Sequence, residues 1–209
     1  MRTDPAPKLV ILDRDGTLNV DREDFVKSPE EWEPLPGALE AVARLNQDGW
    51  HVVLATNQPG IGRGLIDMTS LNAIHAHMNT ELARLGGRID AVFFCPHAPE
   101  EGCDCRKPQP GLILQIGDRF GIDLARVPVV GDSLRDLQAT RAAGAQPHLV
   151  LTGKAAALDA SQVEQMRHQI PGLQVHHDLA AFVDALLQGS STAERGQAGG
   201  SARDFASLD

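Results

Sequence analysis

Short apolar runs alternate with amphipathic segments along this chain, and each run breaks into polar residues at its C-terminal end. Residues 8–12 are such a run, closed by Asp13-Arg14-Asp15-Gly16. Pro36-Gly37 opens a helix with Leu39, Val42, Ala43 and Leu45 on one stripe, which Asp48-Gly49 ends. A strand over 51–55 runs into Thr56-Asn57-Gln58, a helix over 68–85 carries Leu71, Ile74, Met78 and Leu82, and residues 89–94 form a third strand. After an irregular stretch rich in Pro, Gly and Cys, the pattern predicts a helix over 110–120, a strand over 127–130 and a helix over 134–143. A strand over 148–151 and helices over 161–169 and 179–187 complete it. Repeated strand–helix alternation predicts an α/β fold, a three-layer Rossmann-like parallel sheet with helices on both faces. The polar clusters at 13–16, 56–58 and 131–136 follow three different strands. In a parallel sheet they share the carboxyl edge, where such folds bind ligands.

At 209 residues the chain fits one domain, expected over residues 1–188. The remaining 21 residues, 189–209, hold four Gly, four Ser and four Ala, and are expected to be a disordered tail. No apolar run approaches the ~20 residues of a membrane span, and no long apolar leader opens the chain, so a cytoplasmic protein is expected. Nineteen Lys and Arg against 28 Asp and Glu give a formal charge of −9, and only eight residues are aromatic. That balance repels polyanions and offers no base-stacking platform, so neither nucleic acid nor membrane is an expected partner. An anionic ligand must be met by a local cationic cluster. No heptad seam asks for a dimer, and a monomer is the default.

Asp13 and Asp15, two residues apart at a turn, can serve as nucleophile and general acid; taken alone, the same residues make an ordinary Asx turn. Thr56 and Asn57 offer neutral donors to phosphate oxygens, or a plain helix cap. Gly60-Ile61-Gly62-Arg63-Gly64 lacks the Gly-Lys-Ser/Thr of a nucleotide phosphate loop. It reads either as a flexible turn carrying Arg63 toward substrate or as a glycine-rich turn only. Arg106 and Lys107 are adjacent cations directly after the cysteines, and a Lys near a nucleophile stabilises charge on a transferred phosphoryl group. Asp132, together with Asp13, makes an oxygen-rich cradle suited to Mg²⁺, with helix capping by Asp132 or Ser133 as the alternative. Cys95, His97, Cys103 and Cys105 put four soft or borderline ligands within 11 residues, a Cys₃His set of the closed, structural zinc kind. The pairs His75 with His77 and His176 with His177 read as surface histidines.

Asp13-x-Asp15-Gly16-Thr17, Thr56, Lys107 and Gly131-Asp132 resemble, in order, the four motifs of the haloacid dehalogenase-like phosphatases, over residues 9–187. The resemblance implies Asp13 as the nucleophile that becomes an aspartyl phosphate and Asp15 as general acid/base. It also implies that Thr56 and Lys107 hold the phosphoryl oxygens. Mg²⁺ would be bound by Asp13, the Asp15 main-chain carbonyl and Asp132, with Asp136 in a supporting role. The intervals 15–56 and 56–107 have no room for a cap domain, so a capless member is expected. Cys-Asp-Cys-Arg-Lys-Pro after a short Cys/His loop resembles the histidinol phosphatase-like subgroup, and within it the heptose bisphosphate phosphatases. That implies removal of the 7-phosphate of a heptose 1,7-bisphosphate, the β-anomer favoured, on the way to the nucleotide-activated heptose of surface lipopolysaccharide. Substrate contacts would fall on Asp21, Arg22, Glu23, Asp24, Thr56, Asn57, Gln58, Pro59, Arg106 and Lys107. Two departures concern the rim: only five residues separate His97 from Cys103, and Ser133 stands where some relatives carry Lys. Two other readings stay open: a histidinol phosphate phosphatase, favoured by Asp21, Glu23 and Asp24, and a non-catalytic zinc module that binds phosphorylated ligands.

Overall fold

Leu9–Leu12 is apolar at every position and buried at every position, as a strand covered on both faces must be. This strand, β1, pairs in parallel with β2 (His51–Asn57) in the register Leu9 to His51 through Leu12 to Leu54. Its other neighbour is β4 (Pro128–Gly131), where Leu12 aligns with Val130. The computed structural model describes residues 7–198, with side chains through residue 189. With β3 (Ala91–Cys95), β5 (Gln146–Val150) and β6 (Gln174–His176), the sheet has six parallel strands in the order β3-β2-β1-β4-β5-β6.

The crossovers are α1 (Ala38–Gln47), the single turn α2 (Pro59–Gly62), α3 (Met68–Arg84), α4 (Gly111–Phe120), α5 (Leu134–Ala142) and α6 (Ala160–Gln169), with α7 (Leu179–Ala198) last. Helix α3 starts at Asp67, whose carboxylate accepts from the Ser70 N–H at 2.7 Å and satisfies one of the orphan donors of the first turn. Its buried side chains, Leu71, Ile74, Met78 and Leu82, fall three or four apart, and the last three join side chains of α1 and α7 in the core on one face. Leu112, Ile113 and Ile116 of α4 and Ala139 of α5 cover the other face, and α6 closes a third cluster around Leu137 and Leu149. Neither interval between the first three strands holds an inserted domain, so the fold is the capless three-layer sheet expected. No helix among the described residues is long and apolar enough to cross a membrane.

Two elements depart from the expected pattern. Helix α7 runs on to Ala198, beyond the end expected at 187 and into the segment expected as tail; Gly189 and Gly196 each cost a helix only ~1 kcal/mol, and Ala193, Glu194 and Arg195 between them are good helix formers. Residues 199–209 lie outside the described residues. The linker expected before α7 contains β6, which pairs Val150 with His176.

The surface reading of the histidine pairs is corrected at three positions. His176 stacks on His148, with Nε2 to Nδ1 at 3.1 Å, and both rings meet the edge of Phe182. His75 lies against buried Arg14, and His77 against Trp32. Only His177 is fully at the surface, at 88% exposed.

Burial, and after it the neighbouring His176, push the His148 imidazole down to about 4. The unfolded chain takes up this proton near pH 6.5 whereas the folded chain resists it until about pH 4, so folding stability falls as pH drops through that window. About 2 kcal/mol should be lost between pH 7 and pH 5 through this residue. Urea melts of the wild type and His148→Gln at both pH values check it; identical pH slopes would mean the imidazole is not held neutral.

Candidate active site

Where the strand order reverses, the carboxyl ends of β1 and β4 diverge and leave a crevice. Asp13 stands at the end of β1, its N–H bonded to the Val130 carbonyl at 2.8 Å. Asp132 stands one residue past β4. Beside Asp13 lies Lys107, buried, with Nζ 2.9 Å from Asp13 Oδ1, 2.5 Å from Asp136 Oδ1 and 2.8 Å from the Ala55 carbonyl. The lysine is carried by the segment after the cysteines and fastened to β2. Asn57 Nδ2 donates to the Lys107 carbonyl, and the Lys107 N–H donates to Asn57 Oδ1, both at 3.0 Å.

The electrostatics follow from burial. Burial raises the Asp13 carboxyl to about 8, Lys107 offsetting part of the rise and Asp136, Asp132 and Asp15 adding to it. Burial and then Asp136 push Asp132 up to about 6. Burial also works against the Asp136 charge, but Lys107 and Ser133 more than offset it and hold Asp136 below the usual carboxylate range. The Arg14 N–H and Lys107 both fall on Asp13 Oδ1, leaving Oδ2 outside these bonds. Carboxylate oxygens of Asp13, Asp132 and Asp136 lie within 4.8 Å of one another. Few carboxylates with room for water and phosphate is the donor set Mg²⁺ prefers. Gly16, at φ +83°, is required here: a Cβ on it would sit 2.1 Å from Asp132 Oδ2.

Asp15 is held apart from this group. Arg14, almost fully buried, reaches both its oxygens at 2.8 to 3.1 Å, while Asn19 donates to Oδ1 at 3.0 Å and Gln58 to Oδ2 at 2.8 Å. Burial opposes the Asp15 charge, but these donors more than offset it and hold the carboxyl below its usual range. The Asp15 side chain is thus absent from the carboxylate cluster.

A cavity of about 740 Å³ opens over the site. Asp21, Arg22, Glu23, Thr56, Asn57, Pro59, Arg106 and Lys107 line it as expected from the sequence. Two expected contacts do not. Gln58 is buried and turned to Asp15 and to Thr56 Oγ1 at 3.0 Å, and Asp24 is exposed and paired with Lys27. Arg63 does reach the cavity, its guanidinium 5.9 Å from the Phe25 ring. Arg135 and Lys154 also line it, and the sequence motifs did not point to them. The available signal was their place just beyond β4 and β5, on the same sheet edge. Of six cations in the lining, Lys107, Lys154 and Arg22 are paired with carboxylates. Arg63, Arg106 and Arg135 have no carboxylate partner among the described residues. Burial, and then Arg135 and Arg63, lower the Arg106 pKa.

Beside the cavity, Cys95 at the end of β3 meets His97, Cys103 and Cys105. Neighbouring ligand atoms are 3.3 to 3.6 Å apart. A tetrahedral zinc with Zn–S near ~2.3 Å needs sulfurs roughly 3.8 Å apart and nitrogen somewhat closer, so this donor set fits the ion. Burial, and then the Cys105 hydrogen bond, push the Cys95 thiol up to about 12.

A family model described as HAD-hydrolase-like matches residues 104–181. The chain is 54% identical over 182 residues to the D-glycero-beta-D-manno-heptose-1,7-bisphosphate 7-phosphatase of Bordetella bronchiseptica, covering 87% of this chain and 98% of that protein. It is 48% identical to the enzyme of the same name from Pseudomonas aeruginosa, covering 86% and 98%. Its fold is similar, with a TM-score of 0.81 over 87% of this chain and 99% of the other, to a crystal structure of the B. bronchiseptica D,D-heptose 1,7-bisphosphate phosphatase complexed with magnesium and phosphate. At this identity, over almost the whole length of its relatives, the chain belongs to the haloacid dehalogenase-like hydrolases and, within them, to the family of the D-glycero-beta-D-manno-heptose-1,7-bisphosphate 7-phosphatases.

Proposed function

We propose that this protein is a Mg²⁺-dependent phosphatase that removes the 7-phosphate of D-glycero-β-D-manno-heptose 1,7-bisphosphate, a step toward nucleotide-activated heptose for lipopolysaccharide. The observation that carries the reading is the 54% identity to a protein of that name across 98% of its length. The cavity supports it independently. Lys107 serves one phosphoryl group at Asp13, and Arg63, Arg106 and Arg135, which have no carboxylate partner among the described residues, suit a second anion at the rim, as a bisphosphate requires.

Asp13 Oδ2 attacks phosphorus, forming an O–P bond as the bond from phosphorus to the sugar oxygen breaks, and the leaving oxygen takes a proton carried by Asp15, which must first let go of the Arg14, Asn19 and Gln58 donors that hold it ionised. Water then attacks the aspartyl phosphate, Asp15 accepts its proton and inorganic phosphate leaves. The proton so gained serves the next leaving group. Asp13, Asp132 and the Asp15 carbonyl would hold Mg²⁺, which would supply charge neutralisation of the transferred group. Thr56 and Lys107 hold the phosphoryl oxygens, Lys107 also relieving repulsion between Asp13 and Asp136.

Mg²⁺-dependent phosphate release from both anomers of the bisphosphate, histidinol phosphate and an aryl phosphate tests the assignment. The highest kcat/KM is expected for the β-bisphosphate. A preference for histidinol phosphate would overturn the substrate, and no turnover of any ester would overturn the enzyme.

Cys95, His97, Cys103 and Cys105 hold one structural zinc that fixes the segment leading to Arg106 and Lys107. Purified protein should contain one zinc per chain by elemental analysis, and a strong chelator should lower activity at least about 10-fold without changing the Mg²⁺ concentration needed for half-activity. Full activity of a zinc-free protein would refute the structural role.

A further inference from the structure

Three contacts radiate from the turn after β5. Thr152 Oγ1 donates to the Gly16 carbonyl at 2.6 Å, the Lys154 N–H donates to Asp132 Oδ2 at 2.7 Å, and the Lys154 ammonium is paired with Asp21 Oδ2. Gly153, at φ +50°, lets the turn lie this close; a Cβ there would be 2.2 Å from Asp132 Oδ2 and 2.5 Å from the Gly16 Cα. One short segment therefore touches the nucleophile loop and the Asp132 carboxylate through its main chain and Thr152, and the cavity rim through a single side chain.

Asp21 sits on the segment between β1 and α1, among residues with no regular structure, and lines the cavity. An unpaired carboxylate there would repel a phosphorylated ligand. The Lys154 ammonium cancels that charge and occupies Oδ2, which leaves Oδ1 for a hydroxyl donor. Both side chains are part-exposed, so the pair contributes little to stability; what it contributes is the direction of Asp21.

We infer that Lys154 is a positioning residue for substrate recognition, acting through Asp21 by holding its carboxylate toward the sugar hydroxyls of the ligand. The inference rests on the reading of the cavity as a site for a phosphorylated sugar. It gives Lys154 two separable duties, since the contact to Asp132 uses the main chain and survives any side-chain change.

The test is a double-variant cycle on the full-length protein with Lys154→Met, Asp21→Asn, the pair together, and Lys154→Arg, assayed with the heptose bisphosphate. Lys154→Met should raise KM about 10-fold with kcat within about 2-fold, as expected when binding common to ground and transition states is lost. Asp21→Asn should do the same, the double variant should be no worse than either single one, and Lys154→Arg should restore KM to within about 3-fold of wild type. The Mg²⁺ concentration for half-activity should stay constant throughout. Losses that multiply in the double variant, an unchanged KM in Lys154→Met, or a raised Mg²⁺ requirement would each overturn the inference. Wild-type turnover of the bisphosphate reports separately on the sugar-phosphate reading. If the wild type hydrolyses another ester best, that reading falls and the same cycle on the preferred ester decides Lys154.

Discussion

Asp13→Asn is expected to lower phosphate release by at least about 10⁴-fold while leaving the fold intact, because it removes the carboxylate proposed to attack phosphorus and little else. An amide keeps an oxygen for the Arg14 N–H, and Lys107 keeps Asp136 and the Ala55 carbonyl. Burial already disfavours the charged form of Asp13, whose pKa lies at about 8, so a neutral replacement forfeits little electrostatic stability. Stability should stay within about 1 kcal/mol of wild type in the absence of Mg²⁺. Phosphate release and a urea melt on the same preparation check both halves. Activity within about 100-fold of wild type would move the nucleophile elsewhere.

The largest combined loss is expected for Lys107→Met. The lysine is the only cation within ion-pair distance of Asp13 and Asp136 among the described residues, and it is itself buried. Deleting it leaves the ionised Asp136 carboxylate, the Asp13 carboxyl and a carbonyl buried without their partner, which costs about 3 to 5 kcal/mol for the broken ion pair to Asp136. Loss of the positive charge facing the transferred phosphoryl group should lower kcat at least about 10³-fold. Mg²⁺ should recover part of the lost stability, giving the variant a steeper dependence of its urea midpoint on Mg²⁺ than the wild type has. A variant as stable as wild type in the absence of Mg²⁺ would show that the carboxylates do not depend on Lys107.

Much of this architecture is legible in the chain because its central strands are unbroken apolar runs and its helices carry clear stripes. Leu9–Leu12 has no other reading once Asp-x-Asp-Gly follows it. Strand β6 escapes because Gln174-Val175-His176 is three residues long, mostly polar and paired on one side only. Within the site, Asp13, Lys107 and Asp132 are legible because each belongs to a motif at a strand end or beside the cysteines. Arg14 is not, since it occupies the unspecified position of Asp-x-Asp, yet its buried guanidinium is what holds Asp15. Gln58 and Asp24 show the limit of proximity along the chain. Gln58 follows the end of β2 and its amide is taken up by Asp15 and Thr56, while Asp24 is drawn off by Lys27. Arg135 and Lys154 come from segments distant in sequence, and only the strand order brings them to one rim.

The strands that carry Asp13 and Asp132 are also the two innermost of six. Amides near the middle of a sheet exchange with solvent only when most of the molecule opens, whereas edge strands fray in smaller, cheaper events. Opening of β6 can therefore occur while the crevice between β1 and β4 persists, whereas opening of β3, which carries Cys95, would release the segment that holds Lys107. The carboxylates proposed for catalysis are expected to share the slowest-exchanging part of the protein, and activity should outlast the fraying of β6 but not that of β3.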